Sequence, residues 1–458
     1  MRMDPVTSAK TRGAAVLGLG VSGVAAATFL LSSGVTSLLL CDKDPEKARE
    51  PAVLDLISRG AKTQLGADWL RVLPAGLVVR SPGIRPDLSE LDRARRSGAT
   101  VLGEVGLFLS YSPARLLGVT GSSGKSTVTS LVAAILQTAG LDTYAGGNLG
   151  ASLLPALPRL TKDSFTVLEL SSFQLTDLSP DPERAAILNI SENHLNWHTG
   201  MEEYRAAKKR ILGQNTVGVF PAFDPSLRAL AAGRRGSRLF SLSAPHTGER
   251  RPGDVWVAPD GGIVSVFSDE GVRRLFPVER SRLIGKHNLL NLLAAVALTD
   301  GIAPVGAIEE AVSTFRGVPH RIECVQGPDG VRCIDSSIDT SPERTKTTLE
   351  ALSALSPILL LGGAGKGLSY RPLCAPVRAC RARVILFGAA ARELAETFGS
   401  DGIGCQIVPE FDEAVNAALK IARPGDTVLL SPACTSYDAF QNFAERGDRF
   451  RVLCRAAK

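Results

Sequence analysis

Short apolar runs alternate with glycine-rich turns and helical stretches along most of this chain. Ala14-Ala15-Val16-Leu17 leads into Gly18-Leu19-Gly20-Val21-Ser22-Gly23, an uncharged helical stretch follows to Leu31, and Ser37-Leu38-Leu39-Leu40-Cys41 ends at Asp42. Apolar runs that stop at turn residues read as buried strands, and strands separated by helices read as a parallel sheet. Leu77-Val78-Val79, running into Ser81-Pro82-Gly83, continues the series. The same rhythm returns at 116–120, 165–170 and 185–190. Residues 254–278 differ, because short alternating runs around Asp260-Gly261-Gly262 predict an antiparallel flap. A helix-rich stretch over 288–299 follows. A third series opens at Ile322-Glu323-Cys324-Val325 and continues through 358–361, 384–387 and 427–430. The predicted class is α/β. Boundaries near Tyr111-Ser112-Pro113 and Phe315-Arg316-Gly317 give regions 1–112, 113–316 and 317–458.

One turn carries more chemistry than the others. Leu116-Leu117-Gly118-Val119-Thr120 is followed by Gly121-Ser122-Ser123-Gly124-Lys125-Ser126-Thr127 and then by an apolar helical run. Glycines let backbone N–H groups curl around an anion, and the helix N-terminus adds partial positive charge. In such a cradle Lys125 reaches the terminal phosphates and the Ser126 hydroxyl sits on Mg²⁺. The strict pattern wants glycine where Val119 stands, so the match is to a compact Gly-x-x-Gly-Lys-Ser form. Glu169 sits at the tip of the run at 165–170, and His194 follows the run at 185–190; both are further candidates for the metal. Gly18, Gly20 and Gly23 with Asp42 form a dinucleotide-type fingerprint. That pattern alone leaves NAD, another nucleotide diphosphate and tight helix–sheet packing open.

Composition narrows the classes. The chain has 458 residues, 44% hydrophobic and 21% charged, and a formal charge of +6. These are the values of an ordinary soluble globular protein with about two to four domains. Scattered basic residues and few aromatics argue against a nucleic-acid surface. Eight cysteines without a Cys-x-x-Cys pair read as buried free thiols of a cytoplasmic protein. Residues 14–31 mimic a signal peptide, but their interior glycines and serines fit strand–turn–helix better. No stretch could span a bilayer.

The chain resembles the Mur ligases, and within them the glutamate-adding branch. The motifs that carry the resemblance begin with the phosphate loop at 121–127, Gly146-Gly147-Asn148-Leu149-Gly150 and Glu169-Leu170-Ser171-Ser172-Phe173-Gln174-Leu175. They continue with Tyr204-Arg205-Ala206-Ala207-Lys208, His287-Asn288 with Asn291, and Pro319-His320-Arg321. The last is Ser431-Pro432-Ala433-Cys434 with Ser436, Phe440, Phe443 and Arg446-Gly447. The resemblance implies a Rossmann-like N-terminal domain, a central P-loop ATPase-like domain and a Rossmann-like C-terminal domain. It implies ATP-dependent amide formation between UDP-N-acetylmuramoyl-L-alanine and D-glutamate, through an acyl phosphate, by a protein expected to be a monomer without nucleic-acid or membrane partners.

Residue roles follow from the same resemblance. Gly18, Gly20, Val21, Ser22, Gly23, Asp42, Ser81 and Gly83 would line the UDP end, and Asn148, Ser171 and Gln174 the muramoyl end. Gly121 to Thr127, Asn288, His320 and Arg321 would hold ATP. Thr340, Lys366, Ser436, Tyr437 and Phe443 would surround the glutamate. Two Mg²⁺ ions would lie on Ser126, Glu169, His194 and Lys208, the last as a carbamate formed with CO₂. Lys125, Lys208 and His194 form the expected catalytic group.

The chain departs from the family pattern at Asn193 and Asn196, where acids are usual, and in Ser336-Ser337-Ile338-Asp339-Thr340, which lacks an acid and a lysine. Asp335 or Asp339 is the acid available there, and Ile338 removes a cation from the phosphate and glutamate ends. Competing readings are an L-glutamate ligase, a folylpolyglutamate synthase, a weakened nucleotide-binding paralogue and a dehydrogenase. The last has only 18–23 in its support.

Overall fold

The computed structural model describes residues 4–150, 152–192, 197–246, 249–266, 271–283, 285–365 and 368–456. His194, with Asn193 and Asn196, and Lys366 lie outside them. The chain forms two compact units, Met1–Phe315 and Arg316–Lys458.

The first unit holds two sheets. The N-terminal one contains β1 (Ala14–Leu17), β2 (Leu38–Asp42), β3 (Lys62–Leu65), β4 (Leu77–Arg80) and β5 (Thr100–Gly103), all parallel in the order β3-β2-β1-β4-β5. The stretch that mimics a signal peptide is β1 and the helix Val21–Ser32.

The second sheet has nine strands. They are β6 (Arg115–Thr120), β7 (Thr143–Gly147), β8 (Phe165–Glu169), β9 (Arg184–Ile187), β10 (Val217–Pro221), β11 (Arg238–Ser241), β12 (Val255–Val257), β13 (Gly262–Val266) and β14 (Val272–Pro277). Their order is β14-β13-β12-β11-β10-β9-β6-β8-β7. The alternating stretch at 254–278 is indeed antiparallel, but it is no separate flap. β12 pairs parallel with β11, so the strands extend the main sheet.

Helices Lys125–Thr138, Lys286–Thr299 and Val305–Thr314 cover one face of this sheet, burying Leu131, Ile135, Leu292, Val296 and Ile308 completely. On the other side, one continuous core joins Val16, Leu40 and Val79 of the N-terminal sheet to Leu168, Ile187 and Phe220 of the central one.

The second unit contains β15 (Glu323–Gln326), β16 (Arg332–Asp335), β17 (Ile358–Gly362), β18 (Arg383–Phe387), β19 (Cys405–Ile407) and β20 (Thr427–Ala433), in the order β15-β16-β20-β17-β18-β19. Only β15 is antiparallel to its neighbour. Six of the eight cysteines are buried, as expected, but Cys324 is exposed and Cys405 half-buried. Among the described residues no helix is long and apolar enough to cross a membrane.

Candidate active site

Parallel strands gather loops at their C-terminal ends, and β6, β8 and β9 are neighbours there. β6 delivers the glycine loop, β8 delivers Glu169 and β9 leads to Asn189. Gly124 takes φ +80 as the residue capping the helix that begins at Lys125. A Cβ there would stand 2.3 Å from Asn291 Oδ1 on left-handed backbone, so a side chain is strained and Asn291 would have to move. Asn189 braces the loop with side chain and backbone: its Oδ1 accepts from Ser123 N at 2.9 Å and Ser123 Oγ at 3.3 Å, its Nδ2 donates to Ser123 O at 3.2 Å, and its O accepts from Ser122 N at 3.0 Å. The Ser122 hydroxyl donates to Ser191 O at 3.0 Å and lies 2.8 Å from the Tyr204 hydroxyl.

Two lysines converge on this loop. Lys125 Nζ donates to Gly121 O and Ser122 O, and Lys208 Nζ donates to the same Gly121 O. Lys208 is 2% exposed and stands over the buried Tyr204 ring, 4.5 Å from its centroid. Burial holds its ammonium well below the usual lysine range, the Lys125 charge adds to the shift, and Glu169 opposes it. Glu169 is itself buried. Asn148 Nδ2 donates to its Oε1 at 2.8 Å, while its Oε2 has no hydrogen-bond partner. A buried carboxylate oxygen without a donor is costly unless a cation completes it, so the donor set fits a hard divalent metal. Among the described residues no group of three His, Cys, Asp or Glu side chains could hold a metal. The expected set draws instead on a serine, a modified lysine and the undescribed His194.

Several residues expected to line the UDP substrate are held by contacts within the protein itself. A Cβ on Gly18 would lie 2.5 Å from Ser81 Oγ, and one on Gly23 would lie 1.9 Å from Gly18 O. Asp42 accepts from Leu19 N at 2.7 Å, closing the glycine turn against β2. Val21 is 67% exposed on that turn. Ser171 and Gln174 form a reciprocal capping box on the short helix Ser172–Leu175. The turn at 81–85 is anchored from both sides. Buried Arg80 pairs with Asp177, and Arg85 donates to Trp197 O and sits over the Trp197 ring.

Sequence reasoning gave no role to His198, which is 3% exposed, 2.9 Å from Ser172 Oγ and wedged against Phe173 and Tyr204. Burial lowers its pKa, with Glu203 opposing. Asn189 was equally unassigned. A polar residue just past a buried strand was its one local signal.

In the second unit, His320 adopts φ 61 and its Nδ1 lies 2.8 Å from Asp335 Oδ2. Arg451 donates to Asp335 and Glu323 at 3.2 and 2.6 Å. Asp339 accepts from Thr348 and Ser431 at 2.7 and 2.8 Å. Both candidate substitute acids are therefore engaged internally. Ser436 is buried and Tyr437 is 73% exposed at the end of β20. The Phe443 ring meets His320 edge-on.

Comparison with known proteins decides the family. The description Mur ligase middle domain matches residues 119–299, Mur ligase, glutamate ligase domain matches 320–434, and Mur ligase MurD-like, N-terminal domain matches 12–103. The chain belongs to the Mur ligase family. It is similar to the UDP-N-acetylmuramoylalanine–D-glutamate ligase of Symbiobacterium thermophilum, 38% identical over 97% of this chain and 98% of that one. It is also similar to the ligase of the same name from Nitrosococcus oceani, 35% identical over 99% of both. Among solved structures, UDP-N-acetylmuramate-alanine ligase from Thermotoga maritima aligns with a TM-score of 0.56 over 98% of this chain and 100% of that one. At 19% identity that likeness speaks for the Mur ligase fold alone.

Proposed function

We infer that this Mur ligase joins D-glutamate to UDP-N-acetylmuramoyl-L-alanine with cleavage of ATP, in the cytoplasmic synthesis of peptidoglycan precursors. The observation that carries the reaction class is the buried Glu169 carboxylate, one oxygen unpartnered, beside a glycine loop on which two lysines converge. The substrates rest on full-length likeness to proteins bearing that name.

The alanyl carboxylate attacks the γ-phosphorus, the bond to the β-phosphate oxygen breaks, and an acyl phosphate forms. The glutamate amine then attacks the acyl carbon and phosphate leaves. All three reactants are anionic, so positioned positive charge is the main requirement. The loop amides and Lys125 bind the triphosphate, with Asn288, His320 and Arg321 assigned to the nucleotide. Ser126, Glu169, His194 and Lys208 would hold Mg²⁺, which supplies charge neutralisation when bound. The depressed pKa of Lys208 favours the neutral amine, the form that takes up CO₂, and a carbamate there would be an anionic oxygen ligand. Asn148, Ser171 and Gln174 keep their assignment to the muramoyl end.

The test is phosphate release from ATP and Mg²⁺ with the UDP substrate and either enantiomer of glutamate. Release only with D-glutamate supports this reading. Release with L-glutamate favours the variant ligase, and release independent of the UDP substrate overturns both.

A further inference from the structure

Arg446 is fully buried in the first turn of the helix Phe443–Ala456, yet among the described residues no carboxylate touches it. Its Nε donates to Ser337 Oγ at 3.0 Å. Nη1 donates to Thr435 O at 3.0 Å, and Nη2 to Ser337 O and Cys434 O at 3.0 and 3.1 Å. Every acceptor is neutral. Burial pushes the guanidinium down to about 10, so it remains charged at neutral pH.

The acceptors belong to the loops that leave the adjacent strands β16 and β20. In a trans peptide the N–H points opposite to its C=O. Three carbonyls turned inward on Arg446 therefore turn three amides outward: those of Ile338, Thr435 and Ser436. Ile338 N is taken by His320 O and Thr435 N by Ala364 O. Among the described residues, no backbone group accepts from Ser436 N. Ala433, three residues before it, is held at φ 60, a conformation that residues with a side chain rarely adopt. The Ser337 hydroxyl donates to Phe443 O at 2.7 Å, which closes the cluster.

We propose that Arg446 is a positioning residue for the incoming amino acid, orienting the 435–436 peptide so that Ser436 N–H meets a substrate carboxylate and lending that amide its positive charge. This rests on the reaction inferred above. It supplies from the C-terminal helix the cation that Ser336-Ser337-Ile338-Asp339-Thr340 lacks. A guanidinium suits the task because its planar fork can grip several carbonyls at once and stays charged when buried.

The experiment measures KM for glutamate and for ATP, with kcat and thermal unfolding, in the full chain. Arg446→Gln is expected to raise KM for glutamate about tenfold or more, as loss of a charge-assisted contact implies, with KM for ATP within about twofold. Arg446→Lys should recover part of the loss. Should Arg446→Gln fail to fold, Ser337→Ala, which removes one of the contacts, carries the test with a smaller rise in the same KM. An unchanged KM for glutamate in the folded variants overturns the proposal. So does a rise in both KM values in step with a lowered Tm, since that marks a purely structural clamp. Absence of glutamate-dependent turnover in the unaltered protein is a separate result and overturns the inferred reaction.

Discussion

Lys125 and Lys208 share one acceptor, the carbonyl oxygen of Gly121, at 3.0 and 2.8 Å. Their nitrogens are thus no more than about 6 Å apart, which costs about 3 kcal/mol between two cations at an effective dielectric of about 20. A neutral amine or a carbamate at Lys208 relieves that repulsion. Lys208→Ala is expected to lower turnover on the order of a hundredfold or more, by analogy with removing one stabilising group from an active site. Short carboxylic acids should restore part of it, read as phosphate release with and without added formate or acetate. Lys208→Met should also unfold at a higher temperature than the unaltered protein, because it leaves no buried amine to protonate.

The unpartnered oxygen of Glu169 gives a prediction independent of turnover. Glu169→Gln preserves the acceptor for Asn148 but removes the negative charge. Titration of a non-hydrolysable nucleotide should show affinity that rises with Mg²⁺ in the unaltered protein and no longer does so in the variant. The unfolding midpoint should stay the same or rise.

Gly124 tests the loop geometry. Alanine there combines φ +80 with a contact of 2.3 Å to Asn291 Oδ1. Left-handed backbone costs a residue with a side chain about 1–2 kcal/mol before any clash is counted. Gly124→Ala should therefore lose about 2 kcal/mol or more in urea unfolding and bind nucleotide poorly. Gly140→Ala, where φ is +76 and the space is open, gives the cost of the backbone alone.

Asp254 supplies a pH dependence away from the site. Burial pushes its carboxyl up to about 6, although the amides of Leu239 and Arg251 donate to it. A carboxyl raised on folding binds more protons in the native than in the unfolded state between its unfolded and folded values. Its contribution to stability therefore falls as pH rises from about 4 to about 6, then stays flat, and can amount to about 2–3 kcal/mol. Across that range, urea unfolding should show the stability of the unaltered protein falling relative to that of Asp254→Asn.

What could be read beforehand was what is local in the chain. The strand, glycine loop and helix at 115–138 were legible despite Val119, because an apolar run, turn chemistry and helical periodicity follow one another directly. The bonds that hold that loop were not, since Tyr204 meets Ser122 across 82 residues and Asn189 meets Ser123 across 66. Alternation at 254–278 revealed antiparallel strands but not their partner, because a period of two carries no information about which edge a hairpin joins. Ser171 and Gln174 have the spacing of a capping box, so the same pair of side chains that suits a substrate also caps a helix. Arg446 stood within a recognised motif, but only its burial without a carboxylate revealed the question it poses.

The uneven shielding of the cysteines has a practical side. Cys324 lies exposed on an edge strand of the second unit while six of the other seven are sealed inside. Partial desolvation of its sulfur raises the thiol pKa, with the Arg332 charge opposing and Glu323 adding, so alkylation is slow at neutral pH and quickens in mild base. A haloacetamide dye in mild base thus labels the native chain first at Cys324, a fluorescent handle on the edge of this sheet obtained without engineering.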